Sequence, residues 1–138
     1  MPSIFSKIIA GEISCYKIAE NKHCFAFLDI NPLKEGHVLV VPKKETDDLF
    51  DLDNETYIHL LSFAKKIAVA SKSVISCKRI GVAVLGFEVP HAHIHLIPIN
   101  NEGEMNFRNP KIKFTKEEFE LTRQKIAQSF AGLFPDSE

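Results

Sequence analysis

The sequence has no tryptophan and only three cysteines, Cys15, Cys24 and Cys77. Because this count is odd and no pair is spaced as Cys-x-x-Cys, we expect neither a disulfide framework nor a cysteine-rich zinc site. The N-terminus lacks the apolar segment of a signal peptide, and no run approaches the roughly 20 apolar residues that span a membrane. These absences predict a reduced, cytoplasmic protein with no membrane partner.

An excess of charge of one sign is also absent. The chain has 17 Lys and Arg residues against 18 Asp and Glu residues, for a formal net charge of -1. A protein this balanced has no overall attraction to nucleic acid, so nucleic acid is not expected as a partner. Local groups must therefore hold any anionic ligand.

Length and composition predict one domain over residues 1–138. Hydrophobic residues make up 45% of the sequence and charged residues 25%, which is typical of a globular domain and not of a disordered chain. A chain of 138 residues is long enough to bury a core. The sequence contains no internal repeat, low-complexity segment or interdomain linker.

Apolar periodicity and capping residues predict three helices. The first covers Ser3 to Ala10 with Ser3 as its N-cap, and the last begins at a capping box of Thr115 and Glu118 and ends near Phe130. The longest covers Asn54 to Ser76, where apolar residues recur at three- and four-residue steps. That stripe consists of Tyr57, Leu60, Leu61, Ala64, Ile67 and Ala68.

The remaining regular structure is expected to be β-strand. Five runs have strand-forming composition: Cys15–Glu20, Cys24–Leu28, His37–Pro42, Ile80–Leu85 and His91–Ile99. Residues 29–36 contain Pro32 and Gly36 and predict a loop, while the polar residues 100–110 predict an irregular, mobile loop. The order of elements and the hairpin connections predict an α+β fold, in which helices pack on one side of a five-stranded antiparallel sheet.

The most informative segment is His91–Ile99, in which histidine occupies alternate positions at His91, His93 and His95. Alternate residues of a strand point to the same face, with Cα atoms about 6.5 Å apart, so three imidazoles would line one groove. Rings this close repel one another when protonated. At least some of them must therefore be neutral at pH 7, and a neutral imidazole can act as nucleophile, base or metal ligand.

Two chemistries fit this pattern. In one, a histidine attacks phosphorus while its neighbours orient it. In the other, the histidines bind zinc or another metal, because His-x-His on a strand provides two ligands. The nearest downstream acid is Glu102, beyond Pro98, which is farther away than such a metal site prefers. The residues therefore favour the nucleophile over the metal.

The histidine segment resembles the motif of the histidine triad (HIT) family of hydrolases. Three upstream segments also resemble that family in their order and spacing, namely Ile4–Ile13, Phe25–Pro32 and Gly36–Lys44. The resemblance covers about residues 4–98 and leaves the predicted loop and C-terminal helix of residues 99–138 outside it. It implies a HIT fold whose sheet continues across a homodimer.

The resemblance also implies a function. The protein would be a nucleotide hydrolase acting at the α-phosphate of nucleoside phosphoramidates or dinucleoside polyphosphates, with a purine nucleotide as substrate and no cofactor. His93 would form a nucleotidyl-histidine intermediate, and His91 and His95 would contact the phosphate or orient His93. His37 matches a further family histidine of the catalytic site that packs beside the nucleophile. The implied nucleotide-binding residues are Asp29 at the ribose hydroxyls, Phe5, Ile8, Phe27, Leu28 and Ile30 around the base, and Asn31, Gly86 and Glu88.

This sequence departs from the family pattern at three places, one of which is near Ile80, where the family has a phosphate-contacting asparagine. Many bacterial relatives hold a structural zinc ion where this chain has Ser3, Ser6 and Glu45, and serine is a poor zinc ligand, so no metal is expected. Where many relatives have a glutamine and a hydroxyl residue before the histidines, this chain has Phe87 and Glu88. A carboxylate there disfavours an anion unless a proton or cation intervenes, and Glu88 could instead act as an acid toward the leaving group.

Two other functions fit the sequence. One is a metal-dependent enzyme that uses His91, His93 and His95, and the other is a nucleotide-binding scaffold with residual activity. The two remaining histidines have ordinary explanations, because His23 lies in the expected hairpin turn and His59 lies beside the apolar stripe of the long helix. Neither is predicted to have a role.

Overall fold

The computed structural model describes residues 1–136, which form an α+β fold around one five-stranded antiparallel sheet. The strands are β1 (Lys17–Glu20), β2 (Cys24–Leu28), β3 (Val38–Pro42), β4 (Arg79–Ala83) and β5 (Ile94–Ile99). Their order across the sheet is β1-β2-β3-β5-β4, so β5 lies between β3 and β4. The predicted fold class and the antiparallel sheet are confirmed. Within residues 1–136 no helix is long and apolar enough to cross a membrane.

Three α-helices cover the sheet: α1 (Ile4–Ile9), α2 (Asn54–Val74) and α3 (Lys116–Leu133). Both predicted N-caps are present, since Ser3 accepts a hydrogen bond from the Ser6 amide, and Thr115 and Glu118 form a capping box. The two longer helices pack on one face of the sheet in the main core. The short α1 packs on the opposite face, where Phe5 contacts a second apolar cluster.

The expectation that all helices lie on one side of the sheet is therefore wrong. The reason is that the central strands are buried on both faces, since every residue of β2, β3 and β5 is buried and all of them except His95 are apolar. Ala26, Val40 and Ile94 face the two long helices. Phe27 and Leu39 face α1, which must then cover the other side.

The long helix is rotated relative to the predicted stripe. Leu60, Ala64 and Ile67 are buried as expected, but Phe63 also faces the core and Leu61 is 40% exposed. Residues on either flank of the buried face of a helix fit the same three- and four-residue steps, so the sequence pattern included Leu61 and omitted Phe63. The consequence is a strip of apolar surface beside the free edge of the sheet.

Several predicted boundaries differ from the structure. The first strand begins two residues later than the predicted run, at Lys17, and β4 ends at Ala83 instead of Leu85. Residues 100–110 are not uniformly irregular, because they contain a 3-10 helix at Glu102–Met105. An ion pair between Lys34 and Glu104 and a hydrogen bond from the Ile112 amide to the Pro32 carbonyl attach this region to the loop after β2.

Candidate active site

The candidate site lies where β5 begins, and its first feature is the placement of His93. The strand starts only at Ile94, so His91 and His93 belong to the segment that leads into it. There the Ala92 amide donates to the Thr46 carbonyl instead of joining the sheet. The His93 Nδ1 atom lies 2.8 Å from the carbonyl oxygen of His91. Because a carbonyl only accepts, Nδ1 carries the proton, and the lone pair is on Nε2.

His91 is held by a different set of contacts. Its Nε2 atom lies 2.8 Å from the Pro42 carbonyl oxygen, so Nε2 carries the proton. Its Nδ1 atom lies 2.7 Å from the Ser3 hydroxyl, which must then donate to it. The ring is completely buried, and both nitrogens are used within the protein. The side chain of His91 therefore fixes the segment that carries His93.

A second chain of hydrogen bonds determines the proton position on His95. The Leu33 amide donates to Nδ1 of His37 at 3.1 Å, so the His37 proton is on Nε2. That Nε2 lies 2.9 Å from Nδ1 of His95 and donates to it. The remaining nitrogen of His95, Nε2, is left as an N–H donor. It lies beside His93, since the two rings are 5.0 Å apart at their centroids.

Burial keeps these supporting rings neutral. Burial, with a smaller contribution from Lys111, lowers the pKa of His37 to about 4. Burial lowers the pKa of His95 to about 3, with a smaller contribution from the adjacent His37 and His93 rings that Asp29 opposes. Burial also lowers the pKa of His91, although its bond to the Pro42 carbonyl opposes the change. The directions agree with the expectation of neutral imidazoles at pH 7, and they match the tautomers that the hydrogen bonds require.

Two adjoining cavity lobes open onto His93 and His95. The first has a volume of about 250 Å³ and an apolar lining that includes Phe5, Ile8 and Phe27. The second has a volume of about 280 Å³ and is lined by His37, Gly86, Phe107 and Lys111, among others. The two lobes are therefore similar in volume. Five residues line both of them: Asp29, Asn31, Glu88, His93 and His95.

Comparison with known proteins identifies the family to which this site belongs. The HIT domain family model matches residues 10–102. The chain belongs to the HIT domain family. A HIT-like protein of Borreliella burgdorferi is 36% identical over 134 residues, covering 91% of this chain and 96% of that protein.

Two further relatives extend this comparison. The adenosine 5'-monophosphoramidase HNT1 of Saccharomyces cerevisiae is 39% identical over 100 residues, which is 72% of this chain and 63% of the yeast protein. A crystal structure of a HIT-like protein from Bartonella henselae, 32% identical, superposes with a TM-score of 0.80 over 92% of this chain and 95% of that one. These similarities extend beyond the histidine segment to nearly the whole domain.

All but one of the predicted site residues of this HIT domain line the two lobes. Phe5, Ile8, Phe27, Leu28 and Ile30 line the first lobe, His37 and Gly86 the second, and the five shared residues include Asp29, Asn31 and Glu88. The exception is His91, which lines neither lobe. The expectation that three histidines share one face of a strand is wrong for His91, because the strand begins three residues later and its ring turns toward Ser3 and Pro42.

Residues that no sequence pattern indicated also reach the site from distant parts of the chain. Phe107 packs edge-on against the His95 ring, with centroids 4.8 Å apart. Lys111 is the only lysine or arginine among the described residues that line either lobe. Both residues follow the matched segment of the HIT domain, and nothing in their local sequence marks them. The Cys15 side chain also lines the first lobe.

The positions where many relatives hold zinc form a hydrogen-bonded cluster in this HIT domain. The Ser3 amide and the Ser6 hydroxyl both donate to the Glu45 carboxylate, at 2.7 and 2.6 Å. The Ser3 hydroxyl is committed to His91. Two hydroxyls and a carboxylate that already have hydrogen-bond partners within the protein differ from the thiolate and imidazole ligands that zinc prefers.

A metal site built from the three histidines of the motif does not fit the geometry either, since both nitrogens of His91 are occupied. Asp29, His37 and His95 do lie close enough together to hold an ion. Both nitrogens of His37, however, are used by Leu33 and His95. An ion there would have to displace one of these buried hydrogen bonds.

Proposed function

We propose that this HIT domain protein hydrolyses purine nucleotides at the α-phosphate, with His93 as the nucleophile. The observation that carries the proposal is the bond from His93 Nδ1 to the His91 carbonyl, which leaves the Nε2 lone pair beside the cavity. A nucleophile with a fixed tautomer is what covalent catalysis at phosphorus requires. The yeast relative that bears the name adenosine 5'-monophosphoramidase supports this reaction class.

The proposed reaction has two displacement steps at phosphorus. In the first, the lone pair of His93 Nε2 forms a bond to the α-phosphorus while the bond to the leaving group breaks, and an amine leaving group takes up a proton from solvent. In the second, water attacks phosphorus and loses a proton to solvent, the bond to Nε2 breaks, and the nucleotide is released. The Nε2–H of neutral His95 donates to a phosphate oxygen in both steps, where negative charge accumulates.

The first lobe is proposed to hold the nucleoside. Phe5 and Phe27 pack edge to face at 5.6 Å, and with Ile8 they form an apolar wall for a purine ring. Asp29, which lines both lobes, carries a carboxylate that can accept hydrogen bonds from both ribose hydroxyls. Apolar walls of this kind do not read the edge of the base, so weak base selectivity is expected.

The second lobe is proposed to hold the leaving group. It contains one cation, Lys111, and the Glu88 carboxylate lies at its junction with the first lobe. An ammonium in this position favours leaving groups that carry negative charge, such as the phosphate chain of a dinucleoside polyphosphate. A phosphoramidate, with a small neutral leaving group, would use the first lobe alone.

The proposal is tested by intact mass spectrometry after brief incubation with adenosine 5'-phosphoramidate and an alkaline denaturing quench, because the phosphorus–nitrogen bond of the intermediate is labile in acid. Wild-type protein should carry a mass increase of one AMP that is unaffected by chelator, and His93→Ala should carry none. Binding that survives His93→Ala, with no adduct and no AMP release from wild type, would instead indicate a nucleotide-binding scaffold. Adduct formation that is abolished by chelator would indicate a metal-dependent enzyme.

We further propose that the protein is a homodimer that continues the sheet across β4. This strand is at one edge of the sheet, and its Val82 is 62% exposed. Leu61 and Ala68 of α2 line an open apolar surface next to Val82. A free strand edge beside apolar surface favours pairing with a second copy. Light scattering should give the mass of a dimer for the wild type and of a monomer for Val82→Lys.

A cytoplasmic location stays a prediction from the cysteine count.

A further inference from the structure

The structure brings together three residues that the catalytic proposal does not use. His23 lies in the turn between β1 and β2, and Glu55 and His59 lie one helical turn apart near the start of α2. The nitrogen and oxygen atoms that these residues could offer to a metal all lie within 4.8 Å of one another. The cluster is outside both lobes of the candidate active site.

The two imidazole rings are stacked face to face. Their centroids are 3.9 Å apart and their planes differ by 12°. The backbone of His23 is fixed on both sides, because its amide donates to the Asn21 side chain at 2.9 Å and its carbonyl accepts from the Lys43 amide at 2.8 Å. His59 is fixed in the middle of a helix. Folding therefore holds the two rings together before any ligand arrives.

The ring nitrogens of this pair are available. Among the described residues, no protein group forms a hydrogen bond with a ring nitrogen of His23 or His59, in contrast to the buried histidines of the catalytic site. The Glu55 carboxylate lies 3.9 Å from Nε2 of His59. The side chains of His59 and Glu55 are 41% and 76% exposed, so an ion from solvent can reach them.

We propose that His23, Glu55 and His59 bind a divalent transition-metal ion, with Zn²⁺ as the expected ion. Two imidazoles and one carboxylate are a ligand set that zinc accepts, with a water molecule in the fourth position. Bond lengths of about 2.0–2.1 Å in a tetrahedron place ligand atoms about 3.4 Å apart. The three side chains must therefore close by little more than 1 Å, mainly by splaying the stacked rings so that their lone pairs converge.

The site would join the β1–β2 turn to α2. Six residue steps separate His23 from Asp29 along β2, which is about 20 Å of extended chain. At that distance the ion would stabilise the fold without contacting substrate. An ion that binds only the native state raises the thermal midpoint, and the stabilisation grows with the logarithm of the ion concentration relative to the dissociation constant. The inference does not depend on the proposed hydrolase activity.

The test is calorimetric titration of ZnCl₂ into metal-free full-length protein at pH 7.5. Wild type should bind one ion per chain with a dissociation constant in the micromolar range. His23→Gln and His59→Gln should each weaken binding at least tenfold, and Glu55→Gln should weaken it by a smaller factor. Glu117→Gln, which removes an exposed carboxylate from the first turn of α3, is the matched control and should bind as wild type does.

Thermal unfolding of each variant without metal checks that the variants are folded. Zinc should raise the midpoint of wild type and Glu117→Gln but not that of His59→Gln. Histidine-selective NMR should show the His23 and His59 ring signals shifting together during the titration. Absence of binding to wild type, or binding that is lost in His95→Gln and retained in His59→Gln, would overturn the proposal, since the second result places the ion in the catalytic site.

Discussion

The hydroxyl of Ser3 offers a sharp test of how the catalytic segment is held. This side chain is 6% exposed and has two functions at once. It accepts a hydrogen bond from the Ser6 amide as the N-cap of α1, and it donates to Nδ1 of His91, whose ring is completely buried. The Pro42 carbonyl fixes the His91 proton on Nε2, so Nδ1 needs a donor, and among the described residues only the Ser3 hydroxyl lies within hydrogen-bond distance of it. Ser3→Ala removes both interactions.

The expected cost follows from these two losses. Loss of an N-cap costs about 1 kcal/mol. A buried acceptor left without a donor costs about 1–3 kcal/mol. The sum is a decrease of about 2–4 kcal/mol in the free energy of unfolding. At about 4 °C per kcal/mol for a domain of this size, the thermal midpoint should fall by about 8–16 °C.

The assay is urea and thermal unfolding of wild type, Ser3→Ala and a matched control, Ser6→Ala. The control removes the hydroxyl that donates to Glu45 but keeps the Ser6 amide on Ser3 and leaves His91 untouched. It should cost less than about 1 kcal/mol. If Ser3→Ala were no more costly than Ser6→Ala, the assignment of the His91 tautomer and of its donor would be refuted.

Three further predictions concern the catalytic cavity. Since burial lowers the pKa of His37 to about 4 and of His95 to about 3, the unfolded chain binds more protons below about pH 6.5. Stability should fall as the pH drops from 6.5 toward 4. Between pH 7.5 and 5, the thermal midpoint of His95→Gln should fall less than that of wild type, and equal decreases in the two proteins would contradict this. Lys111→Gln should lower kcat/KM for diadenosine tetraphosphate about threefold to tenfold, as expected for a partly exposed charge, and that for adenosine 5'-phosphoramidate less than twofold. Lys113→Gln, outside both lobes, is its control, and equal losses on the two substrates would argue against an anion subsite. If Glu88 protonates the leaving group, Glu88→Gln should lower kcat and flatten its pH profile, whereas an unchanged rate and profile would exclude that role.

Local sequence patterns predicted the fold well because the deciding signals are local. The capping residues Ser3 and Thr115 mark the starts of α1 and α3, and the strands follow from short apolar runs. The sidedness of the helices could not be read in the same way. It depends on how many apolar residues both faces of the central strands carry together, and each strand alone was short enough to fit either arrangement.

Most residues of the candidate site were predicted from the sequence. The orientation of His91 was predicted wrongly, and Phe107 and Lys111 were not predicted. Strict alternation at His91, His93 and His95 implied one shared face, but alternation specifies a face only where the chain is actually paired in the sheet. The Thr46 carbonyl accepts a hydrogen bond from the Ala92 amide, so Ala92 is not paired in the sheet and the strand begins later. Phe107 and Lys111 are held at the site by long-range contacts around them. Glu104 of the 3-10 helix pairs with Lys34, and the Ile112 amide donates to the Pro32 carbonyl. No local sequence pattern encodes such contacts.

The acceptor that orients His93 is a main-chain oxygen, and this has a consequence for how the protein tolerates genetic variation. Every amino acid at position 91 supplies the same carbonyl, so no substitution there can delete the acceptor itself. Replacement of His91 can only displace it, by disturbing the contacts to Ser3 and Pro42. Saturation mutagenesis at this codon should therefore yield a graded series of activities that follows side-chain shape, whereas the codon for position 93 should behave as all or none.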